Sequence, residues 1–259
     1  MPAFSIVIIA QDAERTLAWS LESAKGADEL LVVDGGSRDR TREIAAAAGA
    51  KVLERPFDDY SSQKNFANAS AAYYWVFSLD ADEALDPELA KALRSWRETP
   101  PPAGVSGFRI DRRSYFLERW VRHSGWWPDR SVRLFDRRRA RWEGMVHERL
   151  TVQGKQRDLP GHLIHCTYAD PAEQARRLDR YAALWAREQQ SRGRKGSYLR
   201  LVGQPPWAFI GRYVLRCGLL DGRAGLLIAW AQARHVFRRE ALLLQQRDGA
   251  PAKPPAGSR

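Results

Sequence analysis

The chain has 259 residues, a formal charge of +11 and a sequence pI of about 10.0, so its partners are expected to be anionic: nucleic acid, the phosphates of a nucleotide sugar or an anionic membrane surface. A hydrophobic share of 44% supports one large domain, or a domain with an appendage. Two cysteines, Cys166 and Cys217, exclude a disulfide scaffold and point to a reducing compartment; no run reaches the roughly 18 apolar residues of a membrane span, and no secretory signal is expected at Met1.

Phe4–Ala10 reads as a buried strand, and Glu14–Ala24 as a helix with Leu17 and Leu21 on one face. Glu29–Val33 is a second buried strand ending at Asp34. Gly35 and Gly36 turn the chain, and Ser37 or Asp39 caps a helix that Gly49 closes. Lys51–Glu54 is a short strand, Ser61–Ala71 a helix, and Tyr74–Leu79 an aromatic and β-branched strand. A helix follows from about Pro87 to Trp96, with Asp86 as its cap. Alternating strands and helices with short connections predict an α/β fold, with a mostly parallel sheet covered by helices on both faces.

The Tyr74 strand ends in Asp80, Asp82 and Glu83. Ligands of open α/β sheets bind beyond the carboxyl ends of the strands. Two carboxylates one residue apart repel each other there, which suits a hard divalent cation, Mg²⁺ or Mn²⁺, shared with phosphate oxygens. The alternative for so short a motif is a polar strand end leading to the Asp86 cap. Neither G-x-G-x-x-G nor G-x-x-x-x-G-K-[ST] occurs, which argues against dinucleotide and P-loop sites.

After Thr99–Gly104 the chain alternates apolar and basic residues, with strands expected at Gly107–Ile110 and Val132–Phe135 and one more at Arg157–Cys166. Between the first two lies a loop rich in Arg and Trp, whose Trp126 and Trp127 either stack on a sugar or fill the core. Pro171–Gln190 reads as a helix. From Pro205 to Leu244, apolar blocks alternate with arginines, broken into two helices at Asp221-Gly222; this pair either packs on the domain or lies in a membrane interface. The predicted divisions are 1–100 (donor-binding), 101–168 (acceptor side), 169–246 (helical) and 247–259 (a disordered tail).

The ordered set Gln11–Arg15, VVDGGSRD at Val32–Asp39, SSQKNFANA at Ser61–Ala69 and SLDADE at Ser78–Glu83 resembles the donor half of family 2 glycosyltransferases of the GT-A fold. GWWPDRSVRLF at Gly125–Phe135, WEGMVHE at Trp142–Glu148, and PPWAFIGRYVL with GLLDGRAGLLIA further on extend the resemblance to the lipopolysaccharide-core β-1,4-glucosyltransferase branch.

The resemblance implies an inverting, metal-dependent transfer from a nucleotide sugar, UDP-glucose above all, to a lipid-linked saccharide, with polyprenyl phosphate as a variant acceptor. It also implies a cytoplasmic chain held peripherally on the inner face of the membrane, against anionic lipid. Asp34 would contact uracil or ribose, though Gly35 stands where many relatives carry a second acid. Lys64 would meet the diphosphate, Arg130 and Arg133 the donor phosphates or a phosphorylated acceptor, Asp80 the ribose or metal, and Asp82 the metal. Glu148 is the expected base and Asp129 the second candidate, with His147 a further metal ligand or an orienter of Glu148. Arg137–Arg139 reads as solvated charge; His162, His165 and Cys166 read as structural, since no zinc-spaced partner pair is near. A nucleotidyltransferase shares the metal and phosphate logic. A basic nucleic-acid-binding protein is the competing class, but none of the familiar nucleic-acid motifs occurs, and no nucleic-acid partner is expected.

Overall fold

The computed structural model describes residues 2–99, 101–144, 148–166, 168 and 170–247. The chain divides into two compact units: Met1–Arg113 with Asp129–Cys166, and Ser114–Pro128 with Thr167–Arg259. The tail expected to be disordered lies, from residue 248 on, outside the described residues.

The first unit is built on strands β1 (Phe4–Ala10), β2 (Glu29–Asp34), β3 (Lys51–Glu54) and β4 (Trp75–Asp80), parallel in the order β3-β2-β1-β4. Their near-continuous apolar runs are those of strands buried on both faces. Residues of β1 alternate between two cores. Phe4, Ile6 and Ile8 pack with Leu17 of α1 (Leu17–Ser23), Ala45 of α2 (Thr41–Ala47) and Leu89 of α4 (Pro87–Glu98). Val7 faces the other side, with Leu31, Val33 and Ala67 of α3 (Tyr60–Ser70). Asp86 caps α4 by accepting from the Leu89 N–H at 2.7 Å, and Asp59 caps α3 through Ser62. Asp39 accepts from the Thr41 N–H at the start of α2, whereas Ser37 is drawn into the preceding turn.

The sheet continues with antiparallel strands. β8 (Arg130–Asp136) pairs with β4, and β6 (Val105–Phe116) with β8. The order then runs to β11 (Lys155–Cys166) and β5 (Glu83–Leu85). β5 was not foreseen: the sequence suggests that β4 leads directly to α4, but three residues in between form an antiparallel edge, Leu163↔Leu85 to His165↔Glu83. A ribbon of β9 (Ala140–Glu143) and β10 (Arg149–Val152) completes this unit.

In the second unit the end of β6 turns back as β7 (Arg119–Trp120), and Phe116 and Val121 pack on Ala224 and Ile228. Its helices are α5 (Pro171–Ser191), α6 (Tyr198–Ile210) and α7 (Arg223–Arg247). A π-helical turn (Gly211–Leu215) and a 3₁₀ turn (Gly218–Asp221) join α6 to α7, so the chain does break at Asp221-Gly222. α6, however, begins seven residues before Pro205, and both Pro205 and Pro206 sit inside it. Gly225 is required: a Cβ there would lie 1.8 Å from the Gly218 carbonyl. Asp221 ties the excursion to the helices by accepting from the Arg122 and His123 N–H groups at 3.1 and 3.0 Å. Among the described residues no helix is long and apolar enough to cross a membrane.

Candidate active site

The carboxyl edge of the parallel strands gathers the chemistry. Asp34 pairs with Ala10, and Asp80 with Ile9, so the two acids flank β1 at the same end of the sheet. Asp34 is fully buried and built into the turn that follows it: Oδ2 accepts from the Gly36 and Ser37 N–H groups, each at 3.0 Å, and Oδ1 from the Ser37 hydroxyl. Gly35 packs tightly, since a Cβ there would meet Gln11 and Phe57 at 3.3 Å.

Asp80 lies between cations. Its Oδ1 is 3.2 Å from Lys64 Nζ and its Oδ2 is 3.4 Å from Arg133 Nη1. Burial disfavours the Asp80 carboxylate, but Lys64, Arg133 and Arg112 outweigh it and hold its carboxyl far below the usual range. The group is thus an anion at any working pH. Lys64, itself buried on α3, also reaches Glu148 Oε1 at 3.3 Å, and its ammonium stands 4.5 Å from the centre of the Trp142 ring. One lysine therefore bridges the strand-tip acid and the expected base.

Beneath these groups lies Glu83, wholly buried. Its Oε1 accepts from Arg133 Nη2 at 2.7 Å and Arg112 Nη1 at 3.1 Å, and its Oε2 from the Asp80 N–H at 3.2 Å. Burial would weaken the charge on Arg133, but Glu83 and Asp80 more than restore it. Arg112 then holds Asp129 Oδ2 through Nε and Nη2, at 2.8 and 2.6 Å. Asp82 has its Oδ2 at 3.4 Å from His165 Nε2.

Lys64, Asp80, Arg133 and Glu148 thus meet directly, and Asp129 joins them through Arg112 and Glu83. Arg130 is held elsewhere, by Asp111 at 2.7 Å through both Nε and Nη2, and by Asp158 at 3.1 Å. That hydrogen-bonded pair keeps the Asp111 carboxyl below its ordinary value. His147 lies outside the described residues. Glu83, Arg112 and Trp142 were given no role from the sequence, and His165 was read as structural. The available signal for Glu83 was its place in the acidic run that ends the Tyr74 strand. Nothing local marked Arg112.

The donor chemistry at the tip of β4 suits a divalent cation, with both Asp80 oxygens engaged here by Lys64 and Arg133. Asp80 and Asp82 offer hard oxygens, and His165 places an imidazole nitrogen beside Asp82, a donor set suited to Mn²⁺ or Mg²⁺. Among the described residues, the group that brings three ligand atoms within 4.8 Å of one another is a different one, Asp86, Glu88 and His162. There, however, Asp86 is occupied as the α4 cap and by His162 Nδ1 at 3.1 Å.

The family described as Glycosyl transferase family 2 matches residues 5–153. The lipopolysaccharide core biosynthesis glycosyltransferase LpsC of Rhizobium meliloti (strain 1021) is 28% identical over 92% of this chain and 93% of that protein. An uncharacterised glycosyltransferase of Rickettsia typhi is 25% identical over 96% of this chain and 90% of its own. A solved structure, glucosyl-3-phosphoglycerate synthase from Mycobacterium tuberculosis with Mn²⁺, UDP and glucosyl-3-phosphoglycerate, is 23% identical with a TM-score of 0.36, covering 44% of each chain.

Proposed function

The chain belongs to the family 2 glycosyltransferases, whose model spans more than half of it, and we propose from this that it transfers glucose from UDP-glucose, with inversion and metal dependence, to a lipid-linked saccharide such as a lipopolysaccharide core. The observation that carries the proposal is Lys64, which joins the Asp80 carboxylate to Glu148 at the tip of β4. The acceptor class is supported by the full-length likeness to a lipopolysaccharide core enzyme. The chain would work at the inner face of the cytoplasmic membrane, in peripheral contact with anionic lipid. A polyprenyl phosphate remains the alternative acceptor, and the proposed divisions of labour are donor binding before residue 100 and acceptor binding after it.

Asp80, Asp82 and His165 would hold Mg²⁺ or Mn²⁺, which when bound supplies Lewis-acid stabilisation of the departing diphosphate. Lys64, a point charge on a flexible stem, would leave Asp80 and Glu148 for the diphosphate oxygens, with Arg133 behind it. Asp34 would shape the turn against which the nucleoside lies. Glu148, released from Lys64, would then accept the proton of the acceptor hydroxyl as its oxygen attacks the anomeric carbon and the bond to UDP breaks. Asp129 is the lesser candidate for this step, because Arg112 already occupies its Oδ2 twice.

The test is release of UDP from UDP-glucose with Mn²⁺, with and without a lipid-linked core saccharide. Acceptor-stimulated release is expected, abolished by chelator and by Asp82→Ala. Full activity in excess chelator would remove the metal from the reading. Transfer from a nucleotide sugar to polyprenyl phosphate alone would replace the acceptor.

A further inference from the structure

The second unit turns its apolar residues the wrong way for a helix in water. No residue of α6 is buried. Leu199, Val202, Trp207 and Ile210 follow one stripe at helical spacing, continued by Val214, and all are exposed, Leu199 by 84% and Val202 by 72%. Leu219 and Leu220 extend the exposed apolar surface toward α7. Beside the stripe an open groove of about 360 Å³ runs between α6 and α7, walled by Gly203, Trp207, Ala208 and Val236. Arg239 stands at its edge, stacked 4.6 Å from the Trp185 ring centre, with its Nε buried and without a hydrogen bond.

The charge of the α6–α7 segment is nearly all positive, although Arg192 and Arg234 are paired with Glu188 and Asp179 of α5. Residues 192–247 hold eleven Lys or Arg and two acids, Asp221 and Glu240. Both acids are turned inward. Asp221 is bound by the His123 side chain and two backbone N–H groups, and Glu240, fully buried, is paired with Arg194 at 3.1 Å and Arg200 at 3.4 Å. A second copy of the chain is a poor occupant, since a two-fold contact would set this positive surface against itself. Nucleic acid would satisfy the arginines but gives Leu199 and Val202 no apolar phase. An anionic bilayer supplies both.

We propose that α6 and the outward edge of α7 lie in the plane of an anionic phospholipid bilayer, with the Leu199–Val214 stripe among the acyl chains and the surrounding arginines on lipid phosphates. This deepens the peripheral placement given above by fixing the lipid-facing surface. Its test uses no nucleotide, so its failure would leave the transfer reaction standing.

The experiment is flotation of the full chain with vesicles of phosphatidylcholine, and with vesicles that also contain phosphatidylglycerol. Wild type is expected to float with the anionic vesicles, weakly with the neutral ones, and less in high salt. Leu199→Glu with Val202→Glu, and separately Arg223→Glu with Arg238→Glu, change exposed positions only, and circular dichroism checks their folding. Each pair is expected to weaken binding about tenfold or more. Wild-type binding by the first pair, or equal flotation with both vesicle types, overturns the proposal. So does a wild-type dimer in light scattering that the first pair dissolves while no vesicle binding occurs; the stripe would then be a self-interface.

Discussion

Glu148 and Asp129 are distinguished by what holds them. Glu148→Gln should lower kcat about a hundredfold or more, the usual scale of general-base loss, while UDP-glucose affinity stays close to wild type. Asp129→Asn should loosen Arg112 and raise the acceptor KM more than it lowers kcat. The reverse pattern in steady-state kinetics would transfer the base to Asp129. Glu83 is a different kind of residue, a buried anion beneath the site. Glu83→Leu strands two guanidiniums and should cost about 3–5 kcal/mol in urea unfolding. A loss below about 1 kcal/mol would rank the pair with exposed bridges. At this scale the acids were legible as a D-x-D beyond an apolar run, because strand-end carboxylates stand out in sequence. Their partners were not. Arg133 lies 50 residues from Glu83 and Arg112 lies 29, and a long-range ion pair leaves no local pattern.

At the scale of elements, α5 and α7 meet at His235, whose ring shares a 3.0 Å hydrogen bond with the Leu178 carbonyl. Burial, helped by Arg239 and opposed by the Leu178 bond and Asp179, holds this imidazole below its ordinary 6.5. In the unfolded chain His235 takes up its proton near that ordinary value, and in the folded chain only at lower pH. The unfolded state therefore binds more protons in that window, and stability falls as the pH drops through it. Melting followed at about pH 7.5 and about pH 5.5 should show the loss, and His235→Gln should flatten it. An unchanged slope in the variant would assign the acid sensitivity elsewhere. The strands β1 to β4 and helices α1 to α5 were readable within a few residues, because fully buried parallel strands are apolar throughout and amphipathic helices keep their period. β5 was not, being three residues long and opening with a glutamate. The start of α6 was hidden by Pro205 and Pro206, which ordinarily mark a boundary because they remove a donor and crowd the carbonyl four residues back.

For the molecule as a whole, ligand linkage offers a test that does not need the acceptor. UDP with Mn²⁺ at about 100 times its Kd should stabilise the wild type by about 2.7 kcal/mol, seen as a rise in melting temperature, and should leave Asp82→Ala unmoved. A shift of equal size in that variant would place the ion elsewhere. The interleaving of the two units has another consequence, for how the chain is born. Ser114–Pro128 leaves the ribosome early, yet its partners come late: His123 and Asp221 are 98 residues apart. At about 5–20 residues per second the excursion waits on the order of 5–20 s for them. Well before that interval ends every strand of the first unit has been synthesised, the last ending at Cys166, while Phe116, Val121 and Trp126 still lack the Ala224 and Ile228 that cover them. Nascent chains halted near Cys166 should thus be cut by protease within 114–128 and bound there by holdase chaperones, and the finished chain should be protected at the same bonds. Synthesis makes this protein wait with a sticky loop in hand, and a C-terminal truncation would make that wait permanent.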